Sequence, residues 1–323
     1  MTNALKNLLF REISDEARRR YLDARATFEA WEDARSKAAE VRGGMFWKRQ
    51  GTTEYLIRTS TRKAQKSLGP RCDDTIRMYE SFTARKTEFE QRFTDLTARL
   101  IHQQKLNRVM QVGRAPRLLV EILNQIEHSG LSEHFIVVGT HALYAYEATA
   151  GVRFGEFDAL ATNDIDLLWD TRKRIGFIEK MGYMGTSMLN IIKKVDPSFA
   201  LRQDQKHTAV NSKGFEVDII RREAKDDDPQ PLRLSDEEDD SYAVQAWKAG
   251  ILLDGSRFST MIVATSGHMA RMNTVSPLLF VKFKKWMAEQ ADREPIRRRR
   301  DALQSKRVEE LVSEYFPHLD ETF

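Results

Sequence analysis

Two carboxylates one residue apart open the reading: Asp164 and Asp166, in Thr162-Asn163-Asp164-Ile165-Asp166-Leu167-Leu168. The alternation of acid and apolar residues predicts a strand, in which side chains i and i+2 point to one face. Two adjacent carboxylates repel unless positive charge lies between them, and a divalent cation with oxygen ligands meets that need. Such a cation takes several oxygen ligands, so a third acid from a neighbouring strand is expected. Asp218, in Glu216-Val217-Asp218-Ile219, has the apolar flanks of a buried strand, and Glu216 shares its face as a supporting acid.

Upstream stands the run Phe135-Ile136-Val137-Val138, then Gly139-Thr140, then Ala142–Ala148 with helical character. A helix opened by Gly-Thr presents free backbone N–H groups and the positive end of its dipole, a site for a phosphate. Glycine lets the anion approach the backbone, and the Thr140 hydroxyl adds a donor. His141 follows, but a lone histidine is more often structural. Further on, Pro277-Leu-Leu-Phe-Val-Lys282-Phe-Lys284-Lys285-Trp286 leads to Arg293 and the run Arg297–Arg300 with Asp301. Alone, these residues describe a basic helix face.

In order and spacing the set resembles the nucleotidyltransferase superfamily that includes DNA polymerase β, and within it a bacterial branch near the minimal and toxin-type enzymes. The resemblance runs from about Arg114 to the C-terminus. It implies transfer of a nucleoside monophosphate from an NTP, such as ATP, to a hydroxyl, with two Mg²⁺ on the order of 4 Å apart. It carries the third carboxylate to Asp218, the triphosphate-reaching lysine to Lys284 (Lys282 and Lys285 being its rivals), and a downstream basic–acidic pair to Arg300-Asp301. Many relatives have Ser where Thr140 stands and Lys where Arg300 stands. The expected site is thus Asp164, Asp166 and Asp218 as catalytic metal ligands, with Gly139, Thr140, Lys284 and Arg300 on the nucleotide. The expected fold is α+β: a mixed β-sheet core with flanking helices, preceded by an α-helical hairpin domain with a small β-insertion. No Rossmann or P-loop glycine pattern occurs.

Three regions follow from this expectation: a helical domain over 1–112, a catalytic core over 113–275, and a helical region over 276–323 completing the site. Helices are expected over about 12–40 and 73–112, each with an apolar stripe, so that the pair covers itself. Between them the segment 42–71 carries eight basic side chains against one acid, Glu54. Short strands are expected at Met45–Trp47, Tyr55–Ile57 and Gln65–Leu68. Arg42, Arg49, Arg58, Arg62, Lys63 and Lys66, mixed with Phe46, Trp47 and Tyr55, suit RNA, by phosphate pairing and base stacking. A solvated hairpin whose aromatics pack on the helices explains the same pattern. This segment tilts the acceptor toward an RNA 3′ end, a protein side chain or small molecule being the alternatives. The rival reading is a catalytically silent RNA-binding or partner-regulating protein. Within the core, a helix follows Pro116, an apolar run occupies Ile175–Ile178 with a helix or turn at Met181–Met188, and Phe215–Ile220 is a strand. Ala246–Leu253 and Met261–Ala264 are expected as strands about a turn at Asp254-Gly255, and 223–240 as an acidic loop.

The chain of 323 residues has 52 basic and 48 acidic side chains, a net charge of +4. That small excess says less than its distribution. One cysteine, Cys72, excludes an internal disulfide and a cysteine-only metal cluster. No apolar run is long enough to cross a membrane, and the opening MTNALKNLLFREISDE turns acidic too early for a secretory signal. A soluble cytoplasmic protein is expected, with its oligomeric state open.

Overall fold

The computed structural model describes residues 10–61, 63–155, 162–224, 232–317 and 319. They form two compact units, one of Arg19–Val109 and one of Met1–Arg18 with Met110–Phe323. Strand β1 (Phe10–Glu12) precedes helix α1 (Asp15–Glu40). Strands β2 (Gly44–Gln50), β3 (Thr53–Thr59) and β4 (Gln65–Pro70) follow, then helix α2 (Asp73–Val109).

In the Arg19–Val109 unit, α1 buries Tyr21, Ala24, Phe28, Trp31 and Ala34, a stripe at spacings of three and four. Trp31 donates from Nε1 to Thr97 Oγ1 at 3.1 Å and its ring lies 6.2 Å from that of Phe93. The two helices therefore cover each other. Strands β2, β3 and β4 form an antiparallel sheet in that order. It is pinned to α2 through Trp47, whose ring centroid is 5.9 Å from that of Tyr79.

The larger unit is built on one sheet. Its elements are α3 (Arg117–His128), β5 (Phe135–Val138), α4 (Ala142–Ala150), β6 (Val152–Phe154), β7 (Asp164–Trp169), α5 (Arg174–Met184), α6 (Met188–Lys193), β8 (Ala200–Leu201), β9 (Thr208–Val210) and β10 (Glu216–Arg221). Then come β11 (Leu232–Arg233), β12 (Tyr242–Gln245), α7 (Ala249–Asp254), β13 (Arg257–Val263), β14 (Met269–Val275), α8 (Pro277–Glu289) and α9 (Pro295–Tyr315). The strand order is β11-β12-β10-β7-β5-β14-β13, with β9 also on β10, and β8 on β9. Pairings β10–β7, β10–β12 and β14–β5 are parallel and β5–β7 is antiparallel, so the sheet is mixed and the α+β expectation is met. All four residues of β5 are buried, as befits a central strand covered on both faces.

One local expectation fails, and one open reading is settled. The apolar run Ile175–Ile178 lies inside helix α5, of which only Phe177 and Met181 are buried. These sit four apart, the spacing of one helix face. Ala246–Leu253, expected as a strand, is not one: Ala249, Leu252 and Leu253 are buried at i, i+3 and i+4 in the short helix α7. The hairpin is β13–β14, and its turn lies at Gly267, φ +85°, not at Asp254-Gly255. Part of the acidic loop, 225–231, lies outside the described residues, as does Arg62.

Candidate active site

The sheet register assembles the acids. Parallel pairing of β10 with β7 sets Asp218 beside Asp166 and Glu216 beside Asp164, and antiparallel pairing with β5 sets Val138 beside Asp166. Alternation then puts all four acids on one face, while Ile165, Val217 and Ile219 fill the core on the other. Ligand oxygens of Asp164, Asp166 and Asp218 lie within 4.8 Å of one another. Glu216 is engaged elsewhere, accepting from Arg202 Nη1 at 3.1 Å.

The triad is electrostatically unsettled. The Asp166 carboxyl is pushed up to about 7 by burial and by Asp164 and Asp218, against the pull of Lys284 and Arg300. Burial also raises Asp218, although the Thr208 hydroxyl donates to its Oδ1 at 2.5 Å. Three carboxylates held at this range, their repulsion not cancelled by their own cations, are a hard-oxygen donor set that fits a divalent cation.

Gly139 follows β5 with φ +69°, a left-handed conformation that favours glycine. A Cβ built there would come within 2.3 Å of Asp166 Oδ2. The glycine is thus fixed by the carboxylate as much as by any phosphate. Gly139–His141 is a 3-10 turn leading into α4. Thr140 Oγ1 accepts from Gln304 Nε2 of α9 at 3.0 Å, which leaves the hydroxyl proton available to donate. His141 is buried between Tyr144 and Phe215, and burial lowers its pKa to about 4, so the imidazole is neutral.

Helix α8 starts on Ser276, whose Oγ accepts from Leu279 N–H at 3.2 Å, with Pro277 in its first turn. It carries Lys284 into the same cleft as Gly139, Thr140, Asp164 and Asp166, a cavity of about 590 Å³. Lys284 donates to Asp301 Oδ1 at 2.6 Å, and Arg293 reaches Asp301 Oδ2 at 2.5 Å. Burial lowers the Lys284 pKa while Asp301 opposes the shift. Lys285 points away, pairing with Glu309. The expected Arg300-Asp301 pair divides its work: Asp301 turns inward to Lys284 and Arg293, whereas Arg300 lines the cleft. A second cavity of about 670 Å³ adjoins it, lined by Asn163, Glu216 and Ile296 and sharing Asp164, Glu294, Arg297 and Arg300 with the first.

Over residues 117–322 the chain matches the family model described as Nucleotidyltransferase. The chain belongs to this nucleotidyltransferase family. No curated protein and no solved structure gave a match. The candidate site has neighbours that sequence reasoning passed over. Thr208 reveals itself only through the pairing of β9 with β10, and Gln304 only through helix packing. Trp247 and the Arg297 side of the cleft had a visible signal, an aromatic and a basic cluster, but no pattern assigning them. Among the described residues, no helix is long and apolar enough to cross a membrane.

Proposed function

We propose that this nucleotidyltransferase moves a nucleoside monophosphate from an NTP to a hydroxyl acceptor at the Asp164–Asp166–Asp218 cleft, with Mg²⁺ held by those three carboxylates. The single observation that carries this is the register of β7, β10 and β5, which sets the triad against Gly139 and faces it with Lys284. Two ions at that site would supply charge neutralisation on the phosphoryl oxygens and a lowered hydroxyl pKa. Backbone N–H groups at the Gly139-Thr140 turn, the Thr140 hydroxyl and the Lys284 ammonium bind the triphosphate. Asp301 and Arg293 hold Lys284 in place. The acceptor oxygen forms its bond to the α-phosphorus as the bond to the β-phosphate oxygen breaks, and pyrophosphate leaves with the electron pair. The hydroxyl proton passes to water as the bond to phosphorus forms. Positive charge from Lys284 and Arg300 favours the leaving pyrophosphate.

For the acceptor we favour an RNA 3′ end. Arg42, Lys48, Arg49, Lys63 and Lys66 are exposed in the Arg19–Val109 unit, and Phe46 is 39% exposed beside them. Arg58 does not join this set: it donates to the carbonyls of Arg42, Gly44 and Thr59 and stacks at 4.3 Å on Phe82. The test is incubation with α-labelled NTPs, Mg²⁺ and total RNA, followed by separation of RNA, protein and small products. Label on RNA that disappears with Asp164→Ala is the expected result. Label only on protein moves the acceptor to a side chain, and no Mg²⁺-dependent label on any fraction refutes transfer.

A further inference from the structure

The cleft lining is of two kinds: charged side chains, among them Asp164, Asp166, Lys284 and Arg300, and large apolar ones, Trp247, Phe283, Trp286 and Met287. Phe283 and Trp286 brace each other at 5.7 Å, and Lys248 Nζ sits 4.6 Å from the Trp286 ring centroid, so those faces are in use. Trp247 is different. It is 69% exposed, and no ring or cation stacks on it among the described residues. Exposing an indole to water is unfavourable, and here the chain holds it in place. Ala246 N–H bonds Arg221 O at 2.9 Å, at the end of β10, and Lys248 N–H bonds Glu223 Oε1 at 2.8 Å. Lys248 is kept at φ +57°, a left-handed conformation uncommon for lysine. The backbone on both sides of Trp247 is thus fixed, and the side chain stands at the cleft wall with a free π face.

On the nucleotidyl-transfer reading above, the triphosphate lies against the charged groups, and its base must go somewhere. We infer that Trp247 is the stacking face for the nucleobase and that the preferred substrate is a purine nucleoside triphosphate. The ligand joins the same two chemistries as the lining: a polyanion and a flat, weakly polar ring. A bicyclic purine overlaps an indole over a larger area than a pyrimidine does, and so gains more from dispersion and stacking.

The experiment is calorimetric binding to the full chain with Mg²⁺, using α,β-non-hydrolysable analogues of ATP, GTP, CTP and UTP beside inorganic tripolyphosphate. Wild type, Trp247→Ala and Trp247→Phe are compared; position 247 is exposed, so both variants fold. The purine analogues should bind wild type about tenfold more tightly than tripolyphosphate, the range of base–aromatic stacking. Trp247→Ala should remove that excess without weakening tripolyphosphate, and Trp247→Phe should keep most of it. If wild type binds all the triphosphates but Trp247→Ala leaves the purine-to-tripolyphosphate ratio unchanged, the inference falls and nucleotidyl transfer stands. Pyrimidines binding as tightly as purines overturns the purine assignment. Loss of self-association in sedimentation, with nucleotide affinity intact, reassigns Trp247 to a contact between copies and overturns the inference too. If wild type binds no triphosphate with Mg²⁺, the nucleotidyl-transfer reading fails with it.

Discussion

Replacing Asp166 by Asn should stabilise the metal-free protein at alkaline pH. The folded-state pKa of about 7 stands above the ordinary 3.8, so the fold prefers this carboxyl protonated. Its contribution to stability is therefore full below pH 4 and lost as pH rises through about 7. At about 1.4 kcal/mol per pH unit the gap corresponds to roughly 4 kcal/mol. Asp166 keeps some exposure to the cleft, so solvent screening reduces this, and about 2 kcal/mol is the figure to carry. Between pH 5 and 8 the wild type should lose about 1–2 kcal/mol through this group, roughly 3–6 °C in Tm for a unit of this size. The assay is thermal unfolding with a chelator across that range, wild type against Asp166→Asn. The difference between the two curves removes every titrating group that does not couple to the Asp164–Asp166–Asp218 cluster. Asn should win by a few degrees at pH 8 and hold little advantage at pH 5. Saturating Mg²⁺ at pH 8 should then raise the wild-type Tm and leave the variant unmoved, since a ligand that binds only the folded state stabilises it by mass action. Parallel curves from pH 5 to 8, with no divergence, would refute the picture of an uncompensated acid cluster.

Gly139→Ala should cost about 1–3 kcal/mol in urea unfolding, because φ +69° and the 2.3 Å approach to Asp166 both oppose a Cβ; a variant as stable as wild type would refute that close approach. Lys284→Met should cost about 3 kcal/mol by leaving the Asp301 charge buried with Arg293 as its remaining cation. Adding Asp301→Asn should recover much of that stability but none of the triphosphate affinity, and recovery of both would make Lys284 purely structural. Lys48→Ser, Arg49→Ser and Lys66→Ser together should weaken RNA binding and lower the slope of log K against log salt by about one for each lost phosphate contact. Unchanged gel shifts at two salt concentrations would remove this surface from RNA binding.

The site was legible where function imposes a local pattern on the chain. Asp164 and Asp166 announce themselves by strand alternation, and Gly139 by breaking an apolar run. Asp218 was harder. Periodicity makes it a face of a buried strand but cannot say which strand it joins, so its role came from resemblance. The parallel register of β10 on β7 is long-range information. The same limit hid Thr208 and Gln304, whose partners lie 10 and 164 residues away. Misreading Ala246–Leu253 has a different cause. Six residues of short helix hold too few turns for a 3.6-residue period to stand out against a β-rich run of Ile and Leu. That error mattered, because it concealed the fixed turn that carries Trp247.

Charge was the least reliable signal, for a physical reason. A basic side chain has the same formula whether it meets a phosphate, a carboxylate or a carbonyl, and only packing decides. In the Arg42–Arg71 segment, Arg58 is spent on three backbone carbonyls and Arg71 pairs with Glu54. Lys48, Arg49 and Lys66 stay exposed. In α8, neighbouring Lys284 and Lys285 diverge, one buried against Asp301 and one at the surface against Glu309. Burial makes the difference consequential. An ammonium held out of water by an ion pair already has its desolvation cost met by the fold, so it meets an incoming polyanion with less hydration to shed. Lys285 would have to leave water and Glu309 at the moment of binding. The sharper expectation is therefore that Lys284, not the more accessible Lys285, sets triphosphate affinity.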